Sequence, residues 1–199
     1  MGLSKLQAVN IVLDAIGETP VSSLSSGLPD AEAAEAKIDE ISKSVQAKGW
    51  HQNTDYKLKL TPDINKNIII PGTYLRVDTT STSRDTNVTV RKNGTSQMLY
   101  DIKDQVFTFD NYLWCDVVHH LDYEDLSVEL STYIAYRSAR RFQEAQMASV
   151  ALDNFTMRAE MEAYAALMDA ETENEDSNIL TDNAHCYYAT HRSHRLHGY

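Results

Sequence analysis

Leu3-Ser4-Lys5-Leu6-Gln7-Ala8-Val9-Asn10-Ile11-Val12-Leu13-Asp14-Ala15-Ile16-Gly17-Glu18-Thr19-Pro20-Val21 sets the architecture of the first part of the chain. Leu3, Leu6, Val9, Leu13 and Ile16 recur at helical spacing and predict one helix with a single apolar stripe. Gly17 can take the left-handed conformation that closes a helix, and Pro20 prevents its resumption. A Ser/Pro-rich loop runs from Ser22 to Pro29, and Asp30 is the candidate N-cap of a second helix. Ala34, Ile38, Ile41 and Val45 are its buried stripe, with Gly49 at the position just past its end. Trp50 follows at once and is expected to fold back on the helix pair.

The period changes at about residue 53. Tyr56, Leu58 and Leu60 alternate with polar residues, which predicts a half-buried strand that Pro62 stops. Ile68-Ile69-Ile70 is a short buried run before Pro71-Gly72, and Tyr74, Leu75 and Val77 follow as another strand. Thr79 to Asn87 has the composition of an exposed loop. Lys92-Asn93-Gly94-Thr95 between Val88–Arg91 and Gln97–Tyr100 is the strongest hairpin signal in the chain. Val106 to Phe109 and Tyr112 to His119 complete about five to seven strands. Strands this short with turns this frequent predict a small antiparallel sandwich or barrel.

Helical spacing returns near Asp125. Leu126, Leu130, Tyr133, Ile134, Arg137 and Arg141 lie along a helix predicted to end near Met147. Leu152, Phe155, Ala159, Ala163, Ala166, Leu167 and Ala170 mark a long last helix whose alanines permit close packing. The expected fold is α+β: an antiparallel bundle of about four helices, an inserted β module and an extended C-terminal tail. The boundaries are 1–52 and 122–175 for the two parts of the helical unit, 53–121 for the β module and 176–199 for the tail.

At 42% apolar residues the chain can build a core and lies far from the disordered regime. No apolar run reaches the ~18 residues of a membrane span, and the N-terminus has no signal-peptide core. The Asn-x-Ser/Thr triplets at Asn87, Asn93 and Asn154 are then chance matches. Cys115 and Cys186 have no paired spacing and read as free thiols. A net charge of −11 does not suit a protein that grips nucleic acid over its whole surface.

The order helix, Gly-Glu-x-Pro, helix, Gly-Trp, later helix is specific. The run Ala8 to Leu24, then Gln46-Ala47-Lys48-Gly49-Trp50, and Tyr136-Arg137-Ser138-Ala139-Arg140-Arg141-Phe142-Gln143 resemble the tail tubular protein A family of short-tailed bacteriophages. The resemblance spans roughly the first 50 residues and again 123–165. It implies a structural head–tail adaptor in the virion, not an enzyme and without cofactor, assembled in the host cytoplasm. About twelve copies would form a closed ring between the portal protein and the tail nozzle (tubular protein B). Tail fibres would attach at the nozzle side, and genomic DNA would pass through the lumen without sequence-specific binding.

The residues offer two competing chemistries. Asp122, Glu124 and Asp125 could serve a polysaccharide-degrading tail component, if paired in a cleft. Arg140 and Arg141 could meet duplex DNA. With the acidic total, the favoured reading of Arg137, Arg140 and Arg141 is pairing with carboxylates at a subunit interface, alongside Phe155, Ala159 and Ala163. In the tail, Tyr187, Tyr188, His191, Arg192, His194, Arg195 and Tyr199 are candidate portal-binding anchors. Metal binding by these histidines is disfavoured, because a terminal segment without a core rarely fixes imidazole geometry. His119 and His120, adjacent on a predicted strand, would point to opposite faces. Walker-type, His-Glu-x-x-His, Gly-x-Ser-x-Gly and Cys-x-x-Cys motifs are absent.

Overall fold

A computed structural model describes residues 2–147 and 150–174. The first helix, α1 (Lys5–Asp14), starts at a capping box in which the Ser4 hydroxyl accepts from Gln7 N–H and the Gln7 side chain accepts from Ser4 N–H. It ends in a turn where Gly17 takes φ +79° and Glu18 N–H returns to the Leu13 carbonyl. The chain then folds back because the Asn10 amide clamps Val21: its oxygen accepts from Val21 N–H at 2.8 Å and its nitrogen donates to the Val21 carbonyl at 3.0 Å.

Helix α2 spans Pro29–Gln46. Its N-cap is Leu28 and not Asp30, because Pro29 already has the helical φ and, at the first helical position, lacks an N–H that would have no partner within the helix. Asp30 and Glu32 lie in the first turn, where they oppose the macrodipole favourably. Helix α3 (Val128–Met147) follows a short 3-10 turn at Tyr123–Asp125, and the Ser127 hydroxyl accepts from Leu130 N–H at its start. Helix α4 (Val150–Asn174) is 25 residues long, roughly 37 Å at 1.5 Å per residue. Val9, Val12, Leu13, Ala34, Ile38, Val45, Leu130, Ile134, Phe142, Ala163 and Leu167 form one buried cluster. Within it α1, α2 and α3 pack on one another, whereas α4 packs on α3.

Between α2 and α3 lie six strands: β1 (Thr54–Leu60), β2 (Ile69–Ile70), β3 (Tyr74–Thr79), β4 (Val88–Asn93), β5 (Ser96–Asp101) and β6 (Leu113–His119). They form two three-stranded antiparallel sheets, β1-β6-β3 and β2-β5-β4. Ile68, Ile70, Val77, Val88, Leu99, Phe109, Leu113, Cys115 and Val117 make a second core of their own. The hairpin is present, but its central residues are Gly94 and Thr95, since Asn93 pairs with Ser96. Gly94 supplies the positive φ that a two-residue turn needs. Val106 to Phe109 is not a strand and makes only isolated bridges, Asp101 to Val106 and Asn67 to Thr108. The turn before it is tight, with the Asp101 carboxylate accepting from Lys103 and Asp104 N–H, and leaves no parallel length of partner strand.

Candidate assembly surfaces

Two buried amides join the helical unit to the β module. The Gln46 side chain donates to the Leu121 carbonyl at 3.0 Å and to Ser42 Oγ at 2.9 Å, and accepts from Leu121 N–H at 2.8 Å. Asn53 donates to the Gln46 carbonyl at 3.0 Å and to the His119 carbonyl at 2.8 Å, and accepts from Trp50 N–H at 2.7 Å. The chain enters the β module at Trp50–Asn53 and leaves it at His119–Leu121, so these two side chains tie entry to exit. Trp50 folds back as expected, its indole N–H reaching the Val45 carbonyl at 2.8 Å. Gly49 has φ +81°, and a Cβ there would sit 3.0 Å from Val118 Cγ2 and 2.9 Å from Arg76 Nη2. Sequence reasoning gave Gln46 and Asn53 no role, although Gln46 next to Val45 on a buried stripe is the signal that pointed to one.

The arginine cluster sits between α3 and α4. Arg140 Nε donates to Asp153 Oδ1 at 2.7 Å and its Nη1 to Glu160 Oε2 at 3.1 Å. Hydrogen bonding to Asp153 is the main cause that holds its guanidinium charge more firmly than usual, with Glu160 adding to it against partial burial. Arg137 Nη1 donates to Tyr133 Oη at 2.6 Å and reaches Glu160 Oε1 at 3.4 Å, and Arg141 pairs with Glu144 at 2.9 Å. Three guanidiniums thus face three carboxylates of the same chain. The cluster locks α4 onto α3 and offers no surplus of positive charge to a phosphate backbone.

Among the described residues helix α4 packs chiefly on α3, and an open groove lies on each side of that contact. One groove, of about 670 Å³, lies between α4, α1 and the loop after it; its walls include Ile11, Pro20, Tyr136, Ala139, Phe155 and Ala159. Phe155 is 74% exposed in it. Ala163 is buried beside Leu167 in the chain's own core, so its surface is already covered. The second groove, of about 310 Å³, is walled by Lys48, Tyr133, Arg137, Arg140, Met157, Glu160, Met161 and Tyr164.

Asp122, Glu124 and Asp125 are exposed around the turn before α3 and line neither groove. His119 Nε2 lies 2.8 Å from Asp55 Oδ2, with its ring edge-on to Tyr74. Among the described residues no three His, Cys, Asp or Glu side chains gather in metal-binding geometry. No described helix is long and apolar enough to cross a membrane. Tyr187, Tyr188, His191, Arg192, His194, Arg195 and Tyr199 lie outside the described residues.

A family model for tail tubular proteins matches residues 6–177, from the first turn of α1 past the end of α4. The chain belongs to the tail tubular protein family. It is also similar to tail tubular protein A of Klebsiella phage KP34, 26% identical over 133 residues that cover 67% of this chain and 68% of that protein. As a tail tubular protein it is a structural protein of the phage tail. The match runs through both helical segments and the β module, so the amides at the junction belong to the body of the tail tubular protein.

Proposed function

We propose that this tail tubular protein is the head–tail adaptor of its virion: about twelve copies form a closed ring between portal and tail nozzle, around the DNA channel. The observation that carries the reading is the family match over the whole helical and β body, together with the likeness to a tail tubular protein A. The shape supports it. A long helix packed on one neighbour, with a groove on each side, is a surface suited to subunit contacts. Phe155 and Ala159 belong to one such contact and Arg141, the most exposed of the three arginines, to its rim.

The subunit divides into the helical unit of 1–52 and 122–175, the β module of 53–121 and the tail of 176–199. The β module points toward nozzle and fibres, and the tail, through Tyr187, Tyr188, His191, Arg192, His194, Arg195 and Tyr199, seats on the portal. The subunit is assembled in the host cytoplasm and needs no membrane anchor or cofactor. With a net charge of −11, carboxylates facing the lumen repel phosphates, so the genome slides through without adhesion. The rival reading, sugar hydrolysis by paired carboxylates, is less well supported, since among the described residues Asp122, Glu124 and Asp125 are exposed and line neither of the two grooves.

The experiment is truncation after Asn174 followed by sedimentation with portal rings of the same phage. Full-length protein is expected to co-sediment and the truncated protein to stay behind with its melting temperature unchanged. Equal binding by both would remove the tail from the portal contact.

A further inference from the structure

The groove of about 670 Å³ beside α1 combines apolar walls with an acidic rim. Leu3, Ile11, Pro20 and Phe155 are among its walls, and Phe155 is largely exposed in it. Asp14 is the one charged residue among its described walls, and Glu18 follows in the turn that leads to Pro20. Both are exposed, and neither makes an ion pair among the described residues. Asp14 is also the last residue of α1, whose final turn carries no basic residue. The helix dipole is negative there, so carboxylates and dipole together favour a cation at this rim.

The sequence holds a segment of the opposite character. Residues 183–199 contain Arg192, Arg195, four histidines, three tyrosines and Leu196, and no Asp or Glu, in a chain of net charge −11. They lie outside the described residues, but the point where the described chain ends bounds their reach. Helix α4 ends at Asn174, and the groove wall at Ala159 lies 15 residues back along it, roughly 23 Å at 1.5 Å per residue. The nine steps from Asn174 to Asn183 span up to about 30 Å when extended. The segment therefore reaches the groove of its own subunit.

We propose that in the free subunit residues 183–199 dock in the α1–α4 groove of their own chain. Arg192 and Arg195 face the Asp14–Glu18 rim, and the tyrosines and Leu196 cover Phe155 and Ile11. Resting on the adaptor reading, the same residues seat on the portal after assembly. The two seats exclude each other, so the portal draws the tail out and uncovers Phe155 and Ala159 for the next subunit.

The test uses the full chain. Cys186 lies within the segment and Cys115 is buried, so a nitroxide reagent labels Cys186 alone. In the free protein the methyl NMR signals of Ile11 and Ala159 are expected to broaden, and those of Ile64 and Ile69 in the β module to stay sharp. Isotope-labelled protein mixed with separate spin-labelled protein is expected to show no broadening, because the contact lies within one chain. Asp14→Lys with Glu18→Lys is expected to remove the broadening, and adding Arg192→Glu with Arg195→Glu to restore it. Asp14→Lys with Glu18→Lys is also expected to bind portal rings at lower concentration than wild type, since its tail is already free. Sharp Ile11 signals, broadening only in the mixed sample, broadening that survives the charge reversal, or unchanged portal affinity would each overturn the docking. Wild-type protein that still co-sediments with portal would then leave the adaptor reading standing. Groove broadening in a protein that never joins the portal would overturn that reading and leave the docking in place.

Discussion

Replacing Gln46 by Leu probes how the β module is held to the helical unit. Leu fills nearly the same volume but makes none of the three hydrogen bonds of the amide, and it strands both the N–H and the carbonyl of Leu121. Leu121 is half-buried, so water compensates in part, and each stranded group costs about 1–2 kcal/mol. The total is about 2–4 kcal/mol, a large share of the ~5–15 kcal/mol by which such proteins are stable. With a urea slope of roughly 2 kcal/mol per molar, the midpoint is expected to fall by about 1–2 M. Gln46→Glu keeps the acceptor for Leu121 N–H, but it buries a charge and sets a carboxylate oxygen against the Leu121 carbonyl, so at neutral pH it is expected to fall at least as far as Gln46→Leu. Lowering the pH protonates that carboxyl and restores a donor, which narrows its gap from wild type. A reduced slope or a second transition in Gln46→Leu would mean that the two cores unfold separately once the clamp is gone. A midpoint shift of less than ~0.3 M would refute the reasoning, since the amide would then contribute no more than an exposed side chain.

Other predictions follow from single positions. Gly49→Ala must hold φ near +81° and push Val118 or Arg76 aside, so it is expected to lose about 1–3 kcal/mol in the same urea titration. Arg140→Met leaves Asp153 and Glu160 without their main partner; as the site is one quarter exposed, about 1–2 kcal/mol is expected, read as a melting temperature lower by roughly 3–6 °C. Burial, and then Asp116 and Asp78, push the Cys115 thiol up to about 11, so at pH 8 it is protonated and shielded. In a Cys186→Ser background a thiol-exchange reagent is therefore expected to find no reactive group at pH 8 until the protein is denatured, and one thereafter.

Much of this fold was legible because it rests on local rules. The stripes of α1, α2 and α3, the stop at Gly17 and the return of Trp50 follow from period and backbone geometry, and the structure has them. The placement of Asp30 as cap failed because Pro29 is one residue earlier and satisfies the helix start by its fixed φ. Val106 to Phe109 has real alternation, with Phe109 buried and Phe107 edge-on to Tyr100, but a strand also needs a partner of equal length. That partner is set by a turn at Asp101 whose hydrogen bonds are invisible in a hydropathy pattern.

The surfaces were harder to read. Arg140 meets Asp153 and Glu160 across the α3–α4 turn, and only the packing angle of two helices decides that pairing. Ala163 and Ala159 look alike in sequence, yet one is buried under α3 and the other borders an open groove. The Ala-rich composition of α4 signalled close packing without telling which packing lies within the chain.

The central claim is that this tail tubular protein closes into a ring on the portal. The most direct test is the mass of the purified protein, alone and mixed with portal rings of its own phage, by light scattering with negative-stain imaging. The account predicts a subunit of 22.5 kDa that joins each portal ring as about twelve copies and appears as an added tier. A monomer that leaves the mass and outline of the portal ring unchanged would contradict it.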